Sequence, residues 1–120
     1  KKDVETISGS VRIGWIFQQL LKLYAVFIIP DILENILIID SDTIFLKPTT
    51  FIDDNGKSLY STSDEHHVPY FEHMNRLSPI LERVENFSGI VNYMMFHKKY
   101  LLELFEIVEN IHKDTFWKSL

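Results

Sequence analysis

The sequence predicts an α/β domain built on a mostly parallel sheet, and two observations predict it. Residues 36–39, Ile-Leu-Ile-Ile, form an unbroken apolar run, which reads as a central strand covered on both faces. A segment of helical periodicity feeds that run through a short turn, and helix-then-buried-strand is an α/β signature. The chain has 120 residues, 46% of them hydrophobic, enough for one packed core.

The elements follow in order. Ser10 is a candidate N-cap for a helix running to about residue 24 or 27. Ile13, Ile16, Phe17, Leu20 and Tyr24 share one face of it. Trp15, Gln18, Gln19 and Lys22 share another. Pro30 ends the helix, and residues 31–34 connect it to the strand. Asp53-Asp54-Asn55-Gly56 is a turn signal. Residues 57–62 read as a strand of alternating character, 63–69 as a polar loop, and 70–77 as a short helix before Pro79. Residues 87–96 read as a strand region, with Gly89 marking a bulge or a close backbone approach. Leu101, Leu104, Phe105 and Val108 give the apolar stripe of a helix over 98–112, and Phe116 and Trp117 begin another amphipathic piece.

Composition removes several function classes. The net charge is -5 and the basic residues are scattered, so nucleic acid is not the expected partner. There is no Cys, which excludes disulfides, thiolate zinc and a Cys nucleophile. With no export signal visible, that composition predicts a cytoplasmic protein, free or held at a membrane surface. The apolar stretch at 20–30 is broken by Lys22 and too short to span a bilayer. The chain opens on Lys-Lys-Asp and not on Met, so it is expected to lie inside a longer reading frame.

The chemistry concentrates where the apolar run ends in Asp40-Ser41-Asp42. Functional groups in α/β proteins gather at the carboxyl ends of strands. Two carboxylates one residue apart are costly to desolvate unpaired. A hard divalent cation, Mg²⁺ or Mn²⁺, resolves that cost. A plain strand-end turn also accounts for the two Asp residues. Gln18, Gln19 and Lys22 read equally as a solvated helix face, and 64–67 (Asp-Glu-His-His) as a surface loop. As a functional element that loop would carry a general base, Glu65 or His66. His112 fits a helix-end position that suits the dipole as well as a ligand role. Asn92 and Tyr93 fit either a pocket wall or strand packing. A calcium loop is excluded, because the sixth position, where it needs Gly, is Phe45.

With its strand, the preceding helix bearing Gln18, Gln19 and Lys22, and the following run 44–48 ending at Pro48, the Asp-x-Asp triplet resembles the core of GT-A glycosyltransferases. The nearest likeness is to the DUF6492 family of glycosyltransferase-like proteins, with a more distant one to glycosyltransferase family 8. It draws on 14–22, 38–48, the Glu65-His66-His67 loop with Tyr70 and Phe71, 88–91 and 109–117. The resemblance implies a Rossmann-like GT-A fold, of which residues 1–120 are the central and C-terminal part. It implies a nucleotide-sugar donor, a glycan, lipid-linked or other hydroxyl acceptor, and Mn²⁺ or Mg²⁺ bridging the donor diphosphate. Asp42 is then the direct metal ligand. Asp40 contacts the donor or reaches the metal through water, and Lys22 meets a donor phosphate or holds Asp40. A third ligand comes from further along, His112 or His97.

Two features depart from that pattern: the strands that hold the nucleotide base are absent, and so is the His-x-x-Gly-x-x-Lys-Pro segment of family 8. An apolar patch or a free strand edge near the motif, and catalytic silence of these residues alone, are therefore expected. Two other readings stay open. One is a degenerate GT-A domain that only binds. The other is a haloacid-dehalogenase-like phosphotransferase, against which Ile44 stands where that family has Thr or Val.

Overall fold

The computed structural model describes residues 13–120. Its elements in chain order are α1 (Ile13–Ile28), β1 (Asn35–Ile39), α2 (Val68–Leu77), β2 (Tyr93–His97), α3 (Lys98–His112) and α4 (Phe116–Ser119). The proposed Ser10 cap lies outside the described residues.

The sheet corrects the expected fold class. Among the described residues β1 pairs with β2 alone, and the pairing is antiparallel, from Asn35↔His97 to Ile39↔Tyr93. A mostly parallel, Rossmann-like GT-A sheet is not what the described residues form. The apolar run misled because it reports how well a strand is covered, not which way its neighbour runs. Its burial is also lower than a central strand would have: Ile36 is buried, Leu37 and Ile38 are half-buried, and Ile39 is exposed. Among the described residues each strand has one neighbour, so each leaves one edge without a sheet partner. Ile39, just before the motif, and Ile44 and Leu46, just after it, are exposed.

Two other strand expectations shrink in the same way. Within 57–62 the sheet-like pairing is one isolated bridge, Ile52↔Ser58, closing the turn at Asp53. The carboxylate of Asp53 accepts from the N–H groups of Asn55 (2.9 Å) and Lys57 (2.8 Å), and Gly56 takes the left-handed φ of 78° that the turn requires. Of 87–96, residues 93–96 fall in β2, while Ser88 forms a lone bridge with Ser63.

The core lies where α1 and α3 meet the sheet. Val26, Ile36 and Leu101 form one buried cluster, with Leu23, Phe27, Ile38 and Phe96 packed on it. Phe105, Val108 and Phe116 form the second, joined to the first through Leu23 and Phe27. The rings of Phe105 and Phe116 stack at 4.0 Å. Burial also pushes the Tyr24 phenol above its ordinary pKa, beyond what its contact with the Trp117 backbone returns.

Helix boundaries follow local chemistry. Pro30 stops α1, and Asp31 takes a left-handed φ of 55°, a conformation Asp tolerates better than most residues. The side chain of His97 accepts from the Lys99 N–H and caps α3. Lys113 closes α3 in the left-handed region, its N–H donating to the Glu109 carbonyl. The Glu109 carboxylate accepts from the Phe116 N–H at 2.8 Å, fixing α4 against the end of α3. No described helix is long and apolar enough to cross a membrane.

Candidate functional site

The Asp40-Ser41-Asp42 segment is a β-turn stitched to the opposite strand. The Asp40 N–H donates to the Asn92 carbonyl at 2.8 Å, carrying the ladder one residue past the strand end. The Thr43 N–H then donates back to the Asp40 carbonyl at 3.0 Å, which closes the turn with Ser41 and Asp42 at its corners. The Thr43 hydroxyl adds a long bond to the Asn92 carbonyl, 3.4 Å.

Lys22 of α1 meets this turn. Its ammonium donates to the Asp40 carboxylate, with both side chains about three-quarters shielded from solvent. Helical spacing sets Trp15, Gln19 and Lys22 on the same face, and all three line a cleft of about 410 Å³ with Asp40. A second cleft, of about 280 Å³, shares Gln19, Lys22, Asp40 and Asn92 with the first and reaches down to Ile38 and Phe96.

The far wall is held by two serines. Ser63 and Ser88 exchange backbone hydrogen bonds of 2.9 and 2.8 Å. The buried Ser88 hydroxyl donates to the Glu65 carbonyl at 2.6 Å, and the Glu65 N–H donates to the Ser63 hydroxyl at 3.0 Å. Glu65 is thereby held through the backbone groups on both sides of its Cα and lines the cleft with Tyr70, Gly89 and Asn92. A Cβ on Gly89 would come within 3.1 Å of the Met94 thioether methyl, the mobile end of that side chain, which would have to shift by a few tenths of an ångström. Tyr70 stacks on Trp15 across the rim, with centroids 5.7 Å apart and planes 12° from parallel.

Lys22, Asp40, Gln19 and Glu65 thus converge on one cleft, and other predicted site residues do not join them. Gln18 is exposed and outside the lining. His66 stacks on Phe71 at 4.9 Å instead of facing Asp40. His112 Nε2 lies 2.9 Å from the Leu77 carbonyl; a carbonyl only accepts, so that nitrogen carries the proton and is not free to ligate. The Nδ1 of His97 is taken by the Lys99 N–H. Asp42 is exposed in the turn and lines neither cleft.

The donor set limits how a metal would be held. No three His, Asp or Glu side chains among the described residues cluster as a protein-only cation cage. Mg²⁺ held by one or two carboxylates takes its remaining oxygens from other groups, so Asp40 and Asp42 would not hold a cation by themselves.

Sequence reasoning missed the Ser63–Ser88 clasp and the Trp15–Tyr70 stack. Both join residues far apart in the chain, and neither has a local signature. The Ser88-Gly89 pair, a small polar residue beside a glycine, was the available hint. Comparison of the chain with protein-family models, curated proteins and solved structures finds no match.

Proposed function

We propose that this chain carries the diphosphate end of a sugar-transfer site, moving a sugar from a nucleotide-sugar donor to a hydroxyl acceptor. The observation that supports the reading is the Lys22–Asp40 pair, set at a strand end in a cleft that also holds Glu65. Transfer from such a donor needs a cation near the departing diphosphate and a base near the acceptor hydroxyl. Lys22 supplies fixed positive charge and can exchange Asp40 for a donor phosphate oxygen. Asp40 at the cleft and Asp42 at the corner of the turn would hold Mn²⁺ or Mg²⁺ together with the diphosphate. Such an ion, when bound, offsets the charge that builds on the leaving group. Glu65 is the carboxylate that lines the cleft besides Asp40, and its side-chain oxygen takes the acceptor proton. Gln19 and Asn92 add neutral hydrogen-bonding groups that orient hydroxyls.

Calorimetric titration with UDP and GDP, with Mn²⁺ and with EDTA, tests the reading. Binding that needs the metal and vanishes in Asp42→Asn is the expected result. Equal binding in EDTA, or full retention in Asp42→Asn, overturns it. Asp42 is exposed, so its replacement should leave the fold intact, which circular dichroism checks.

A further inference from the structure

We infer that Trp15 and Tyr70 form a stacking subsite for the pyranose ring of a neutral acceptor sugar, at the rim of the cleft that holds Asp40 and Glu65. The inference deepens the transfer reading by placing the acceptor, and it stands on a separate observation. Trp15 and Tyr70 are 44% and 38% exposed, whereas Phe105 and Phe116 are buried in the core. The two rings stack on one another at a cleft mouth, with His67 set edge-on to Tyr70 at 4.4 Å, so what they offer a ligand is the apolar ring surface that the stack leaves exposed. Their 5.7 Å centroid separation is too small to admit a planar base between them, which needs about 7 Å, two van der Waals contacts. A ligand therefore meets the pair from one side.

The polar groups beside the rings select the ligand's chemistry. A pyranose offers a C–H face to an aromatic surface and a rim of hydroxyls to hydrogen-bonding neighbours. Gln19, Glu65 and Asn92 line the same cleft and together provide amide donors, amide acceptors and a carboxylate acceptor. Among the described residues the lining holds one lysine, Lys22, which in the transfer reading serves Asp40 or the donor phosphate and not the acceptor ring, and Glu65 adds negative charge. An anionic ring is disfavoured, and an uncharged polyol ring is matched.

The test uses the 120-residue chain with Trp117→Phe, which leaves Trp15 as the only indole. Methyl α- and β-pyranosides of glucose, galactose and mannose are titrated in EDTA while Trp15 emission is followed. A saturable change with at least one glycoside is expected. Tyr70→Ala should weaken that binding by about two- to twelvefold, the scale of one aromatic contact, and Tyr70→Phe should keep it. Circular dichroism must match across the variants. No saturable response to any glycoside, or the same affinity in Tyr70→Ala, overturns the subsite. A stronger response to uridine monophosphate overturns it too, by assigning the platform to a base. Glycoside binding that persists where metal-dependent UDP and GDP binding is absent sinks the transfer reading and leaves the subsite standing. The converse removes the subsite alone.

Discussion

Lys22, near the middle of α1, donates to the carboxylate of Asp40, the first residue beyond β1. Helix and sheet are thus tied by a charge pair at the mouth of a cleft, not only by the apolar contacts of Val26 with Ile36. A partly shielded pair of this kind adds on the order of 1 kcal/mol to the fold. Its position is more informative than its strength, because an ammonium at that point can serve a carboxylate or an incoming phosphate.

Lys22→Met separates those two roles. Urea denaturation should show a loss of about 1 kcal/mol, and metal-dependent UDP or GDP binding should weaken by roughly 1 to 3 kcal/mol, the scale of a hydrogen bond to a charged group. Unchanged nucleotide affinity in a folded Lys22→Met protein would reduce Lys22 to a brace for Asp40. Lys22→Arg should keep the charge yet fit less well, since a planar fork is not a point charge.

Much of the helical structure was legible because its signals are local. The stripe of Leu101, Leu104, Phe105 and Val108 marked α3, which spans the expected Lys98–His112. Pro30 and Pro79 marked where helices could not continue. The sheet was not legible in that way. Residues 36–39 carry the same apolar run whether their neighbour is parallel or antiparallel, and β2, their partner, lies far along the chain. The site divides similarly. The spacing of Gln19 and Lys22 ahead of Asp40 was visible, and the structure joins them in one cleft. The partner of His112 was not visible, because the Leu77 carbonyl that takes its proton is set by how the end of α3 packs on α2.

Asp53 should make stability depend on acid. Its carboxylate accepts backbone N–H groups of Lys57 and Asn55, which hold its pKa below the ordinary carboxylate value in the folded chain. A lowered folded pKa gives stability that is complete above the unfolded value and lost as pH falls through the folded one. The melting temperature of Asp53→Ala should therefore sit below the parent's at neutral pH by a constant gap. That gap should narrow on acidification past the ordinary carboxylate range. Melting curves whose separation is the same at all pH values would show that the turn does not depend on the charge.

Lys113 ends α3 with φ 57° and ψ 29°, a region that costs a side chain about 1 kcal/mol and glycine very little. Its N–H already makes the closing bond to the Glu109 carbonyl, so the backbone need not move on substitution. Lys113→Gly should raise stability by about 0.5 to 1 kcal/mol in urea. Lys113→Val should lower it, because a β-branched side chain fits that region worst. A destabilised glycine variant would mean that the lysine side chain contributes more than its backbone costs.

Ser88→Ala tests what holds Glu65 over the cleft. The Ser88 hydroxyl is buried, donates to the Glu65 carbonyl at 2.6 Å and accepts from the Ile90 N–H at 3.3 Å. Its removal leaves both backbone groups without that partner, at a cost of about 1 to 3 kcal/mol. The backbone bridge between Ser63 and Ser88 does not use the hydroxyl and should survive. Hydrogen exchange should therefore accelerate at Glu65 and Ile90 while Ser63 and Ser88 stay protected. If the Glu65 carboxylate takes the acceptor proton, the turnover number for sugar transfer should fall in a longer, active form of the protein while nucleotide affinity at Lys22 and Asp40 is unchanged. Equal acceleration at all four amides would mean that the variant has opened the whole wall. Unchanged exchange at Glu65 would mean that the Ser63 hydroxyl, which receives the Glu65 N–H at 3.0 Å, is enough to hold the loop.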